Sequence, residues 1–211
     1  MDSLPDSPGA YAIELLLSEA CTITVGQLGK FKFPRGIYIY SGSAFGPGGI
    51  SARLGRHIRA KSKACRWHID YLREFTHRRA CCYLQANAGT MVEKPYECSW
   101  SQALLSLPGA AVPVQCFGAS DCISTCPAHL VCFPFQYTES KGAGAVLLQR
   151  EVRAALAQAS QSPLGVTEHN DSFPRGASGG YAARSSAGEG FEMTLTWGYT
   201  KLAVARWFTP G

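Results

Sequence analysis

The chain has 211 residues, 46% of them hydrophobic and 17% charged, with a formal net charge of +5. That length carries one full hydrophobic core plus a smaller appendage, and the composition excludes overall disorder. A charge this mildly basic identifies no polyanionic partner by itself.

No apolar run approaches the ~20 residues of a membrane helix, so no membrane partner is expected. Met1 to Asp6 is acidic and polar, without the basic and apolar regions of a secretory leader. Nine cysteines in such a chain predict reduced thiols in a cytoplasm rather than a disulfide framework.

In chain order, Ala10 to Leu17 reads as a buried strand and Thr22 to Val25 as a short second one. Gly26 to Gly29 is a turn, and Gly36 to Tyr40 (GIYIY) is a third strand, rich in β-branched and aromatic residues. Ser41 to Gly49 interrupts regular structure with four glycines and a proline. Ile50, Leu54 and Ile58 then recur at helical spacing, predicting a helix to Lys61. Trp67 to Phe75 is a second helix, Ala80 to Gln85 a strand, and Pro95 to Ser106 a third helix. Cys116 to Cys132 is loop-rich, and His129 to Phe133 forms a last strand. Beyond residue 136 the character changes. Ala145 to Ala159 is an amphipathic helix, Ser160 to Gly190 a Gly/Ser-rich linker, and Phe191 to Phe208 a hairpin turning near Gly198.

Charge concentrates between Arg53 and Arg79, where nine basic residues face only Asp70 and Glu74. Such a run is either a solvated helix face or a patch that tracks phosphates. The glycine-rich stretch leads into a helix N-terminus, where Gly42, Ser43 and Gly49 could admit a phosphate close to the backbone. Arg56, Lys61, Lys63 and His68 join them as candidate phosphate or DNA contacts.

The order Gly9-Ala10-Tyr11, Tyr40-Ser41-Gly42 and Gly49 to His57 resembles the GIY-YIG nuclease superfamily. Tyr38 to Gly49, Trp67 to Leu72, Phe117 to Cys122 and His129-Leu130 resemble its Uri-type branch. Gly36-Ile37-Tyr38 spells the first motif literally, but it shares a strand with Tyr40, whereas the family uses two strands. The first-motif role therefore falls to Gly9-Ala10-Tyr11. The resemblance spans roughly Pro8 to Phe135.

Phosphodiester hydrolysis needs an activated water, charge stabilisation at phosphorus and relief for the leaving oxygen. The resemblance implies that Tyr11 is a base or water-orienting phenol, with Tyr40 beside it on the paired strand. It implies that Arg53 clamps the phosphate and that His57 assists one helical turn on. Glu97 is the candidate ligand for one Mg²⁺ or Mn²⁺ ion, with Glu93 its rival.

Cys122, Cys126 and His129 offer three zinc-type ligands, with Cys98, Cys116 or Cys132 as a fourth, although the spacing matches no standard knuckle. Free buried cysteines are the alternative reading.

The expected architecture is α/β (α+β): a small mixed, mostly antiparallel sheet flanked by helices, GIY-YIG-like. It has a nuclease domain at 8–136 and a C-terminal extension at 137–211. The expected activity is a metal-dependent DNA endonuclease of repair or defence, with RNA an open alternative as substrate. Its rivals are a non-catalytic nucleic-acid-binding module, with zinc as an optional support, and a zinc-held interaction domain.

Overall fold

Strand β1 (Gly9–Leu17) is the centre of the molecule, with all but one of its residues buried. It pairs antiparallel with β4 (Gly36–Ser43) on one side and β5 (His77–Gln85) on the other. Alternation along β1 sends Tyr11, Ile13, Leu15 and Leu17 to one face, and Ala10 and Ala12 to the other. Each face then acquires its own core. The computed structural model describes residues 4–59, 65–86, 96–135 and 144–160, with the backbone of 180–184 and 192–199.

The first face is covered by α1 (Gly49–Ile58), α2 (His68–Arg73) and the hairpin of β2 (Cys21–Val25) with β3 (Gly29–Phe33). Ile50 and Leu54, four residues apart, are fully buried in that core. The second face is covered by α3 (Tyr96–Leu105) and α4 (Gly144–Ser160). Strand β6 (Leu130–Pro134) completes the sheet beside β4. With β7 (Gly180–Arg184) and β8 (Glu192–Tyr199) the six-stranded order is β6-β4-β1-β5-β8-β7.

The expected α/β architecture is present, and every strand pairing is antiparallel rather than mixed. Four details differ from expectation. Strand β3 was not foreseen, although Lys30 and Lys32 alternate outward with the inward Phe31 and Phe33. Helix α1 stops at Ile58, where Arg59 turns extended, and Lys61 and Lys63 lie outside the described residues.

Within the expected appendage at 137–211, α4 shares the core of the first 136 residues. Leu148, Val152 and Leu156, at helical spacing on α4, pack with Ile37, Ile39, Trp100 and Leu104. The Trp100 indole N–H donates to the Ser160 hydroxyl (2.8 Å). Strand β8 runs straight through Gly198, which pairs with Cys81. The hairpin therefore joins β8 to β7, drawn from the expected linker, because the free edge of β5 supplies a row of backbone partners. The rest of that linker lies outside the described residues.

Candidate functional site

An open cavity of about 600 Å³ opens where β1, β4, α1, α3 and the loop before β6 meet. Its wall contains Tyr11, Tyr40, Gly42, Ser43, Arg53, His68 and Glu97, residues spread over 87 positions of sequence. The register makes the convergence. Tyr11 sits opposite Gly42, and a Cβ there would fall 2.4 Å from the Tyr11 ring, so only glycine lets the phenol lie across β4. Tyr40 is two residues along the same face of β4, and the two ring centroids are 6.4 Å apart. Gly118, in a left-handed conformation, does the same for the Tyr40 ring, 2.8 Å from where its Cβ would be.

Arg53 and His57, one turn apart on α1, both face these tyrosines. The Arg53 guanidinium lies 4.7 Å over the Trp67 ring, and among the described residues no carboxylate pairs with it. His57 is buried behind the cavity, its ring 5.8 Å from that of Tyr11 and 6.4 Å from that of Tyr40. Its Nδ1 lies 3.3 Å from Asp70 Oδ1.

The phenols do not behave as expected for a base. Burial raises the Tyr11 hydroxyl well above its ordinary value, and Tyr40 raises it further, while Arg53 lowers it only in part. Burial likewise raises Tyr40, against the pull of Arg53. A cation lowering a tyrosine toward neutrality is thus not what these residues arrange. With both hydroxyls raised, the protein groups present favour orienting a water over taking its proton.

Glu97, at the start of α3, presents a buried Oε2 with no hydrogen-bond partner among the described residues. Burial raises this carboxyl, its own backbone N–H lowers it, and nearby Asp121 raises it again. A carboxylate oxygen held dry and unpartnered beside a second acid is suited to a cation. Glu93, its rival, lies outside the described residues.

Several expected phosphate contacts are engaged elsewhere. The first N–H groups of α1 are already capped: Gly49 donates to Gly46, Ile50 to Ser7 and Ser51 to Pro5. Gly49 is packed so closely that a Cβ would fall 2.2 Å from the Ser7 carbonyl. The N-terminal segment thus fills the anion site a free helix start would offer. Arg56 donates to Asp70 Oδ2 (3.0 Å), Arg73 lies 3.5 Å from Asp70 Oδ1, and Arg79 lies 3.4 Å from Glu14. Arg78 bonds the Ile58 carbonyl. Much of the basic run therefore braces α1, α2 and the sheet.

Asp70 is the hub of that bracing. Burial pushes its carboxyl up, but hydrogen bonds from His57, the Arg66 N–H, Arg56 and the Trp67 N–H outweigh it and hold it well below the carboxylate range. A depressed folded value stabilises above the ordinary value of 3.8, and that stability drains as pH falls below it. Asp70→Asn should therefore lower stability at pH 7 by on the order of 3 kcal/mol, since it removes the negative charge that faces Arg56 and Arg73. It should also flatten the acid limb of the Tm–pH curve below pH ~4. Thermal melts from pH 2 to 8 would refute this role if the variant and wild-type curves stayed parallel. The helix-start spacing of Asp70 was visible in sequence, but its partners on α1 were not.

His68 lines the cavity, while Asp70 on the same short helix turns inward. The His68 Nδ1 accepts the Gly118 N–H (3.0 Å), and burial lowers its pKa, so the ring stands neutral.

A second cluster adjoins the first. Cys98, Cys122, Cys126 and His129 offer four ligand atoms within 4.8 Å of one another, and the group could hold a metal ion. Cys98 Sγ lies 3.4 Å from Cys122 Sγ and 3.5 Å from His129 Nε2. Tetrahedral ligands around a zinc-sized ion stand roughly 3.5–3.8 Å apart. The fourth ligand is Cys98, next in sequence to Glu97. Cys116 is exposed, and Cys132 is buried beside Tyr38. Thr125, a β-branched residue held at φ 52°, bends the loop that brings Cys126 back to Cys122. The His129 ring is bonded to the Gly118 backbone, which fixes its orientation. The cluster and the cavity share a wall, since Cys98, Cys122 and His129 line both.

Among the described residues no helix is long and apolar enough to cross a membrane. A family model described as a domain of unknown function, DUF123, matches residues 10–148. No curated protein and no solved structure matches the chain.

Proposed function

We propose that this chain, which belongs to the DUF123 family of domains of unknown function, is a divalent-metal-dependent endonuclease that hydrolyses phosphodiester bonds in DNA. The observation that carries the reading is the shared cavity: an arginine without a carboxylate partner, two paired phenols and an unpartnered buried carboxylate oxygen open into one space. The motif order, which resembles the Uri-type branch of the GIY-YIG nucleases, supports it independently.

In this reading Arg53 grips the scissile phosphate through its planar fork and meets the charge that grows on the non-bridging oxygens. Tyr11 and Tyr40, protonated, align the attacking water by hydrogen bonding. His57, steadied by Asp70, holds the two rings in register. The water oxygen bonds to phosphorus and releases a proton to solvent, the bond to the leaving sugar oxygen breaks, and that oxygen takes up a proton from solvent. Glu97 would hold Mg²⁺ or Mn²⁺, which supplies Lewis-acid relief to the leaving oxygen and acidifies bound water.

We assign zinc to the Cys98-Cys122-Cys126-His129 cluster, because three thiolates and an imidazole suit zinc far better than magnesium. Its role is structural, since four protein ligands leave no open position. The free cysteines fit a reducing compartment.

The purified chain should nick fluorescent DNA oligonucleotides in Mn²⁺ or Mg²⁺, and EDTA should stop it. If neither metal supports cutting of single-stranded, duplex or branched DNA, the alternative of a non-catalytic binding module takes its place.

A further inference from the structure

Phosphate chemistry has no use for an exposed indole, yet the cavity holds one. Trp67 is 40% exposed and lies in the cavity wall between Arg66 and His68. Its backbone is pinned at the start of α2, where its N–H donates to Asp70 Oδ2 (3.1 Å) and its carbonyl accepts the Asp70 N–H (2.9 Å). The ring is therefore a fixed surface, placed against the Arg53 guanidinium. Ile123, 91% exposed, adds a second apolar group to the same cavity. Large apolar side chains left open in a concave polar site mark a flat apolar ligand.

A nucleobase is such a ligand only when its face is free. In an intact duplex each base is covered above and below by its neighbours, so no face can reach the indole. An unpaired nucleotide offers that face, and stacking on aromatics is how proteins hold single strands. The cavity, at about 600 Å³, lies in the size range of small-molecule sites.

We propose that the substrate is DNA with an unpaired nucleotide, a single strand or an extruded base, which stacks on Trp67 beside the phosphate held by Arg53. The inference rests on the nuclease reading and narrows it. Trp67 is then a specificity residue. The geometry couples base and phosphate recognition through one cation–π contact, so that a paired strand would meet the arginine without the stack.

The test is fluorescence anisotropy of full-length protein with a labelled 12-nucleotide single strand and with the matching blunt duplex, in Ca²⁺ without Mn²⁺ or Mg²⁺ so that the cysteine cluster keeps its metal. Cleavage of both in Mn²⁺ is followed in parallel. Wild type should bind and cut the single strand in preference. Trp67→Ala should weaken single-strand binding by about 5- to 150-fold, the range for one stacked base, and weaken duplex binding, which lacks the stack, by much less. Trp67→Phe, which keeps a ring, should retain most of the single-strand affinity, and it replaces the alanine variant should that one fail to fold. Equal binding and cutting of both forms, or a Trp67→Ala single-strand affinity equal to wild type, overturns the stacking role and leaves the nuclease intact. No binding or cutting of either form overturns the nuclease reading and this one together.

Discussion

Arg53→Ala should reduce phosphodiester cleavage by on the order of 10³-fold, the effect of removing one pre-positioned charge donor from a phosphoryl-transfer site. The fold should survive. Arg53 is a partly exposed α1 residue that stacks on Trp67, whereas α1 is held by buried Ile50 and Leu54 and by the capping carbonyls of Pro5 and Ser7. Arg53→Lys should recover only part of the activity, because a point charge cannot form the bidentate contact. Glu97→Gln should be comparably damaging, since an amide is a poor ligand for a hard cation. It should also weaken the Mn²⁺ dependence itself, which separates it from the arginine variants. The measurements are single-turnover cleavage rates over a metal titration, with circular dichroism and melting as fold controls. Folded Arg53→Ala protein that cleaves at the wild-type rate would remove the phosphate clamp and with it the mechanism.

Removing the metal from the cysteine cluster should be nearly as destructive by a different route. The cluster ties α3, through Cys98, to the loop that carries Gly118, Asp121, Cys122 and His129 along the cavity. Glu97 stands next to Cys98 on that helix. Without the ion, three thiols and an imidazole remain crowded with no common partner, around a loop strained at Thr125. We expect about one zinc per chain by elemental analysis, and none in Cys98→Ser or Cys122→Ser. The loss should lower stability by about 3–5 kcal/mol, or Tm by roughly 10 °C. Cleavage should fall with it. Cys116→Ser is the control, because that thiol is exposed and outside the cluster; it should keep its zinc, its Tm and its activity. Zinc-free protein with unchanged melting would show the four side chains to be ordinary buried thiols.

Part of this molecule is written in short-range pattern. The apolar run Ala10 to Leu17 and the GIYIY run indicated the buried strands, and fourfold spacing of Ile50, Leu54 and Ile58 indicated α1, because each pattern depends only on a few neighbouring residues. The tyrosine pair, Arg53 and Glu97 were nominated by motif order, and they line a common cavity. The fourth cluster ligand was narrowed to three cysteines, of which folding brings Cys98 to the others.

Other properties have no local signature. Whether Arg56 meets a phosphate or Asp70 depends on a partner fourteen residues away, and the answer is Asp70. Gly49 looked like an anion-binding helix start until the chain at Pro5 to Ser7 folded over it. The tyrosines have ordinary sequence neighbours, and only burial between two helices and a sheet raises both hydroxyls against the pull of Arg53. Helix α4 seemed detached because amphipathicity says that a face will be buried and not against what. Sequence alone therefore indicated most of the elements and the inventory of reactive groups, since these follow from side-chain periodicity and chemistry. Tertiary structure decided which charges remain available, which acid is dry and which thiols converge. Those properties are set by desolvation and by through-space distances of a few ångströms, which packing alone establishes.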